Sequence, residues 1–183
     1  MIFFGLLALF ISISAVNAEG NLTALEIQID ESVNNFEMTQ DYAYSPTEDG
    51  NYTNGVFVNK TNFVINGNGH TIDGKNQSRL FRINGTNVTV NNLVIINGNS
   101  DSGGGILSIG KNIIFNNITF KNDYASSGGG ALAVLNTVEV NDCKFIDNGA
   151  PEGSAIYSAE TSIKIEGSYF ECINVLQKSM VRG

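Results

Sequence analysis

The sequence predicts an all-β fold, a right-handed parallel β-helix of about five coils, with about 25 residues and three short strands in each coil. A hydrophobic triplet returns five times at a spacing of 25 residues: Phe63-Val64-Ile65, Val88-Thr89-Val90, Ile113-Ile114-Phe115, Val138-Glu139-Val140 and Ile163-Lys164-Ile165. A second column keeps the same step: His70, Ile95, Phe120, Phe145 and Phe170. A fixed period of this length indicates stacked repeats that bury their apolar faces against one another.

Alternation within each copy distinguishes strands from helices. In residues 88–95, apolar side chains recur at every second position on both sides of the pair Asn91-Asn92, and the arrangement returns in the next two copies. This period of two indicates two strands that meet at a corner. We expect an amide ladder there, ended by Glu166, from Asn66, Asn91, Asn116 and Asn141. An earlier strand supplies inward pairs, namely Val56/Val58, Phe81/Ile83, Leu107/Ile109, Leu132/Val134 and Ile156/Ser158. Right-handed coiling follows from the general preference of parallel crossovers.

The segment before the repeats predicts export and a cap. Residues 1–18 carry no charged side chain and contain an apolar run that is short for a membrane span. We predict a secretory signal peptide cleaved after Ala18, with an uncleaved anchor as the alternative. Residues 19–54 hold no copy of the repeat, so we assign them as the N-terminal cap of the solenoid, built from short strands or from a helical turn plus a strand.

The repeats occupy residues 55–172, and the pattern stops in the tail 173–183. An uncovered last coil would be an aggregation-prone edge, which predicts that the chain is the front part of a longer protein. Cys143 and Cys172 are one period plus four residues apart, and that offset is beyond disulfide reach. We therefore expect two free thiols.

The amino-acid composition disfavours some classes of binding partner. The chain has 10 basic and 18 acidic side chains, a net charge of -8, which disfavours nucleic acids and anionic membrane surfaces. No second apolar segment of spanning length follows the signal peptide, so we expect no membrane insertion after its cleavage. The 25 Asn and 20 Gly residues are typical of a chain with many tight turns.

Seven Asn-x-Ser/Thr triplets follow the signal peptide. In a secreted protein each is a candidate N-glycosylation site, although some will face inward or lie in a ladder. They begin at Asn21, Asn51, Asn59, Asn76, Asn84, Asn87 and Asn117.

Glycine-led loops carry a family resemblance. Three tetrads resemble the Gly-Gly-Ala-Ile motif of polymorphic outer-membrane proteins: Gly104-Gly105-Ile106-Leu107, Gly129-Gly130-Ala131-Leu132 and Gly153-Ser154-Ala155-Ile156. Phe145-Ile146-Asp147-Asn148 matches the Phe-x-x-Asn motif of the same repeats, and the run 65–74 resembles the first coils of pectate-lyase-like β-helices. Together with Asp41-Tyr42-Ala43-Tyr44, these motifs are most similar to the adhesin-like surface proteins of methanogenic archaea. The resemblance implies cell-surface display and attachment to other cells or to glycans.

Pectate-lyase-like enzymes share this fold, so an active site has to be considered. Asp123 and Asp147 fall near one corner on neighbouring coils, but Asn97 and Asn122 occupy the equivalent rungs, which favours solvated turn residues over a metal site. We interpret Arg82, and Arg79 beside it, as a solvated face, with Arg82 able to reach Asp73 or a sugar carboxylate. His70 is interpreted as a partly buried residue of the inward column, hydrogen-bonded to the cap.

The expected function is that of a non-enzymatic, secreted or cell-surface adhesin-like module without a cofactor. Its contact face is predicted to be the loops 97–105, 122–130 and 147–153, with Tyr124 and Tyr157 as exposed rings for glycans or for surface proteins of other cells. A polysaccharide lyase or hydrolase on the same fold is the alternative. A structural spacer without a ligand is the second alternative.

Overall fold

The structure, a computed structural model, describes residues 19–50, 53–159 and 161–171. The predicted signal peptide, Asn51, Cys172 and the tail 173–183 lie outside the described residues. The described chain is a parallel β-helix of about five coils preceded by one short helix, which confirms the predicted all-β fold.

The helix and strands follow one another in the order cap, then coils one to five. The cap contains α1 (Leu22–Glu31), β1 (Asn35–Glu37) and β2 (Tyr42–Ala43). The first three coils contain β3 (Val56–Val58), β4 (Thr61–Asn66), β5 (Thr71–Asp73), β6 (Phe81–Ile83), β7 (Thr86–Ile96), β8 (Asn99–Ser102), β9 (Ile106–Ser108), β10 (Lys111–Lys121) and β11 (Tyr124–Gly128). The last two contain β12 (Leu132–Val134), β13 (Val138–Asn141), β14 (Lys144–Ile146), β15 (Ile156–Ser158), β16 (Ile163–Glu166) and β17 (Tyr169–Glu171).

Each strand pairs in parallel with its counterpart one coil away. One wall is the sheet β3-β6-β9-β12-β15, and the order β1-β4-β7-β10-β13-β16 forms a second wall. The long strands β7 and β10 turn a corner and continue into a third wall, where β5 pairs with β7 and β14 with β10 and β17. The 25-residue step is confirmed in the second wall, because Phe63 lies opposite Val88, which lies opposite Ile113, and Val138 lies opposite Ile163.

Left-handed residues turn the corner between the second and third walls. Asn92 and Asn117 have φ values of 52° and 52°, and Asp142 and Gly167 continue the column at 53° and 58°. Asn, Asp and Gly tolerate this conformation best, which explains why they recur at a period of 25. The two predicted strands per corner are therefore one bent strand in β7 and β10.

An amide ladder runs along the inner side of this corner. Nδ2 of Asn91, Asn116 and Asn141 each donates to Oδ1 of the Asn one coil earlier, at 2.9 Å in every case. Glu37 of the cap accepts from the first amide, Asn66. At the other end Asn141 Oδ1 is buried without a partner among the described residues, because Glu166 occupies the next rung and its carboxylate has no N–H.

Breaking or extending the ladder should change stability in opposite directions. Asn116→Ala should lower the free energy of unfolding by about 1–3 kcal/mol, because it removes the partners of Asn91 and Asn141. Glu166→Asn should raise it by about 0.5–1.5 kcal/mol by supplying a donor to Asn141 Oδ1. Urea denaturation measures both changes, with Glu139→Asn on the adjacent outward column as the matched control. Equal stability of Asn116→Ala and the unmodified chain would contradict the ladder's contribution.

A column of aromatic rings fills the interior of the later coils. Phe120 stacks on Phe145 at 4.9 Å between ring centroids, and Phe145 stacks on Phe170 at 4.8 Å, with the rings nearly parallel. Ile95 precedes them in register, as predicted. His70 does not belong to this column: Ile72 lies opposite Ile95, because the corner of the first coil, with its turn at residues 67–70, is two residues longer.

The prediction for the inward pair of β9 was wrong by one residue. Ile106 and Ser108 face the core, and Leu107 and Ile109 do not. The preceding glycines set this register, because Gly103 has the same left-handed φ as Gly129 and Gly153. The tetrad of this coil is therefore Gly103-Gly104-Gly105-Ile106.

The cap closes the first edge of every wall. Asn21 caps α1 through a hydrogen bond from Ala24 N to its Oδ1, and Leu22, Leu25 and Ile29 on one face of the helix are buried. β1 pairs with β4 and β2 pairs with β5. The edge of β3 is covered by α1, where Glu26 accepts a hydrogen bond from Phe57 N at 2.7 Å.

Candidate functional site: the loop face

Three stacked loops, residues 97–105, 122–130 and 147–153, form the surface that we name the loop face. Each loop starts at a left-handed Asn or Asp and contains, near its end, a left-handed glycine: Asn97 with Gly103, Asn122 with Gly129, and Asp147 with Gly153. Between these turns β8 and β11 pair in parallel, and the third loop bridges to β11 through Gly149 and Glu152. The loop face is thus a small ordered sheet.

The two predicted contact residues lie near opposite ends of β11: Tyr124 is its first residue, and Tyr157 belongs to β15 but packs against its last residue. Tyr124, at its start, is 51% exposed, and its ring lies beside the backbone of Gly149 in the next coil. Tyr157 is partly exposed, and its ring lies against Gly128 at the end of the strand. A Cβ atom on Gly128 would lie 3.0 Å from Tyr157 Cγ, so the absence of a side chain there allows the ring to pack closely.

The surface between the two rings is polar. Ser126 and Ser127 of β11 are exposed between Tyr124 and Gly128. Asp101 and Glu152 add exposed carboxylates on the flanking loops. The sequence did not single out these serines, because exposed Ser in a loop carries no distinctive spacing.

A buried arginine holds the first loop in place. Arg79 donates from Nε to Gly103 O at 3.1 Å and from one terminal nitrogen to Ser102 O at 2.8 Å and Asp101 Oδ1 at 2.7 Å. Burial lowers the pKa of Arg79, and the charge of Asp101 opposes that change. The pKa of Asp101 is lowered, chiefly by a hydrogen bond from Ser100 and then by one from the Ser102 backbone and by the positive charge of Arg79. The interpretation of Arg79 as a solvated residue was wrong, because a clamp of backbone carbonyls compensates for its desolvation.

A second buried group lies beneath the loop face. Asp123 Oδ1 accepts a hydrogen bond from Gly98 N at 2.7 Å, and Asp123 N donates to Asn148 Oδ1 at 2.9 Å. Burial raises the pKa of Asp123 well above its usual range, and the negative charge of Asp73 raises it further. The 25-residue spacing of Gly98, Asp123 and Asn148 was the available sequence signal for this column.

The carboxylates considered for catalysis do not form a pair. Asp147 lies in the corner column with Asn97 and Asn122, whereas Asp123 is the next residue along and points into the interior. The prediction of a solvated turn residue is therefore wrong for Asp123. Across residues 19–50, 53–159 and 161–171, no group of three or more His, Cys, Asp or Glu side chains is placed to hold a metal ion.

The other singled-out side chains have structural partners. Arg82 faces outward as predicted, and its guanidinium lies 5.4 Å from the centre of the Phe57 ring rather than at Asp73. His70 Nδ1 lies 3.0 Å from Asp41 Oδ1, so the expected hydrogen bond to the cap is confirmed. The Cys143 thiol is free and buried, and burial raises its pKa to about 11.

The structure separates the described glycosylation triplets into two groups. The side-chain amides of Asn21, Asn87 and Asn117 already donate hydrogen bonds, to Glu48, Asn62 and Asn92 respectively. Asn59, Asn76 and Asn84 are exposed, as Asn87 and Asn117 also are, but the side-chain amides of Asn59, Asn76 and Asn84 donate no hydrogen bond among the described residues. A glycan on any of the first three would break a capping contact or an outer amide ladder, so Asn59, Asn76 and Asn84 fit modification better.

A depression of about 270 Å³ lies beside the start of α1, lined by residues that include Glu19, Tyr44, Glu48 and Lys75. Its charged groups bind each other or nearby residues, since Glu48 accepts from Asn21 at 2.7 Å and Lys75 lies 2.8 Å from Asp73. The charged side chains around this depression are therefore already paired within the protein.

The chain matches no protein-family model, no curated protein and no solved structure. The resemblance to adhesin-like surface proteins therefore rests on the sequence motifs alone. Within the part of the chain that the structure describes, no helix has the length and apolarity needed to cross a membrane.

Proposed function

We propose that this protein is a non-enzymatic attachment module, secreted and displayed at a cell surface, whose loop face binds glycans of other cells. The arrangement of Tyr124 and Tyr157 at the two ends of β11, with Ser126 and Ser127 exposed between them, carries this proposal. β11 bulges between Ala125 and Gly128, and its two ends lie opposite Asn99 and Ser102 of β8, which are three residue steps or about 10 Å apart. An extended saccharide spanning this distance would meet a ring at each end and hydroxyl groups in the middle.

The supporting structure suits a binding surface. Tyrosine offers a large amphipathic contact with few rotatable bonds, so little side-chain entropy is lost when a ligand binds. The Arg79 clamp and the Asp123–Asn148 column hold the loops from below, which preorganises the site. The net charge of -8 and the carboxylates of Asp101 and Glu152 favour neutral or cationic saccharides over acidic ones.

Removal of either ring should weaken binding. Tyr124→Ala and Tyr157→Ala should each raise the Kd for a bound glycan by about tenfold, equivalent to ~1.4 kcal/mol, and the double variant should lose binding on a glycan array. Phe57→Ala is the matched control, because Phe57 is a partly exposed ring in the same outward column as Tyr157, four coils earlier and away from the loop face. Unchanged binding by the double variant would place the contact surface elsewhere.

The two alternative functions, a polysaccharide-degrading enzyme and a structural spacer, predict different assay results. A polysaccharide lyase or hydrolase would release product from polysaccharides, and incubation with polyuronate and calcium, followed by absorbance of the unsaturated product, detects the lyase. Turnover there would overturn the attachment proposal. A structural spacer would give a flat binding screen together with a cooperative unfolding transition of β structure.

A further inference from the structure

Five Asn-Gly pairs recur along the coils, and this dipeptide is the one in which asparagine deamidates most readily, because glycine has no side chain to hinder attack by its own nitrogen. They are Asn66-Gly67, Asn68-Gly69, Asn84-Gly85, Asn97-Gly98 and Asn148-Gly149. A sixth pair, Asn54-Gly55, adjoins positions 51 and 52, which lie outside the described residues. The hydrogen bonds of each pair decide whether its glycine nitrogen and its carboxamide are free to react.

Four of the five pairs are bound at both reacting groups. Gly67 N and Gly69 N each donate to a backbone carbonyl at 2.7 Å, Gly149 N donates to one at 2.9 Å, and Gly98 N donates to Asp123 Oδ1 at 2.7 Å. The asparagine carboxamides of these four pairs also donate, in chain order to Glu37, to Glu37 and Met38, to Asp73, and to Phe120. Reaction at these pairs therefore requires the coil to open locally first.

The pair Asn84-Gly85 differs from the other four. Among the described residues, the Asn84 carboxamide and the Gly85 N–H take part in no hydrogen bond, and Asn84 is exposed to water. The pair forms the corner between β6 and β7, where the chain passes from the first wall to the second. A Cβ on Gly85 would lie 2.1 Å from Lys60 O, so the packing of the corner requires glycine after this asparagine.

We propose that Asn84 deamidates spontaneously in the folded protein. Gly85 N attacks Asn84 Cγ, the bond from Cγ to Nδ2 breaks, and the proton lost by Gly85 N leaves with Nδ2 as ammonia. Water is the only co-reactant, and it opens the resulting succinimide to aspartate or isoaspartate. Asn84 also begins the triplet Asn84-Gly85-Thr86, so glycosylation and deamidation compete for the same nitrogen.

Formation of isoaspartate should loosen the corner. Asn84 N donates to Val58 O at 2.9 Å, and Lys111 N donates to Gly85 O at 3.0 Å, so the corner is bound to the coil before it and to the coil after it. Isoaspartate lengthens the backbone by one carbon between these two bonds. Backbone hydrogen exchange in β6 and in the start of β7 should therefore accelerate in the aged protein.

Peptide mapping by mass spectrometry tests the proposal on the chain made in a host that adds no N-glycans. The chain is incubated at mildly alkaline pH, once folded and once unfolded in guanidinium chloride, so that each pair is compared with its own unfolded rate. Asn84 should react in the folded protein within about tenfold of its unfolded rate. The four bound pairs should react at least about a hundredfold more slowly than when unfolded, because they must open first.

Asn84→Gln is the matched control, because it keeps an amide at the corner but would have to close a less favourable six-membered ring. It should show no modification at position 84, and its hydrogen exchange in β6 and β7 should not change with age. A methyltransferase specific for isoaspartate identifies that product at position 84. Protection of Asn84 equal to that of the four bound pairs would overturn the proposal, and so would faster reaction at any of those pairs.

Discussion

Phe145→Ala is expected to lower the free energy of unfolding by about 3–5 kcal/mol, the usual loss for truncating a large aromatic side chain in a packed core. Phe145 is buried, and its ring is stacked between Phe120 at 4.9 Å and Phe170 at 4.8 Å. The truncation removes two ring contacts and leaves a void that rigid strands on all three walls cannot collapse to fill. Urea denaturation monitored by circular dichroism measures the loss.

Two further measurements make this expectation specific. Phe170→Ala is the matched control in the same column, and it should cost about 1–2 kcal/mol because the ring of Phe170 is already half exposed. Solenoid stability is close to a sum of local terms, so hydrogen exchange in Phe145→Ala should accelerate most in β14 and β17. If both variants lost the same free energy of unfolding, or if hydrogen exchange accelerated uniformly along the chain, the aromatic column would not stabilise the later coils locally.

Asp123→Asn is expected to stabilise the protein and to remove a pH dependence of its stability. Asn148 occupies the same rung one coil later, and its Nδ2 donates to Phe120 O at 3.2 Å. Asp123 Oδ2 is buried without a hydrogen-bond partner among the described residues. An ionised carboxylate has no donor for the carbonyl at that position, whereas a protonated carboxyl or an amide does.

The sign of the pH dependence follows from the direction of the shift. Burial raises the pKa of Asp123 in the folded protein, so the folded state retains a proton that the unfolded chain releases. The contribution of this group to stability is fully present below its ordinary pKa of 3.8 and is lost as the pH rises through the higher pKa of the folded state. For this group, therefore, the protein becomes less stable as the pH rises above 3.8.

Stability measured in urea from mildly acidic to mildly alkaline pH tests this expectation. Asp123→Asn should gain about 1–3 kcal/mol at alkaline pH and little at acidic pH, since the buried unpaired group is replaced by a paired one. The reverse exchange, Asn148→Asp, should lose the bond to Phe120 O and acquire the same pH dependence. Asp142→Asn, which removes an exposed carboxylate, is the matched control. Parallel pH profiles for Asp123→Asn and the unmodified chain would contradict the assignment.

The periodic part of the fold could be read from the sequence because its determinants are local. Alternating side chains decide which face of a strand is buried, and Asn or Gly at a fixed offset decides where the chain turns. The second wall, the corner column, the amide ladder and the outward direction of Arg82 follow from these two rules. The same rules placed Tyr124 on the loop face, whereas Tyr157 lies in β15 and reaches the loop face only through the contact of its ring with Gly128.

The remaining features of the fold and of the candidate site depend on contacts between neighbouring coils, which no pattern within one coil predicts. The identity of the inward residue of β9 was decided by close backbone packing, since a Cβ on Gly104 would lie 2.5 Å from Gly130 O. His70 was displaced from its column by a two-residue insertion at one corner. Arg79 and Asp123 look like ordinary surface residues in the sequence, and only the stacking of neighbouring loops buries them. By itself the sequence determined the strand-based repeat and most of its register, because side-chain alternation and turn chemistry act within one coil. Only the tertiary structure decided which polar groups lie buried under the loop face, because their burial depends on what the next coil places against them.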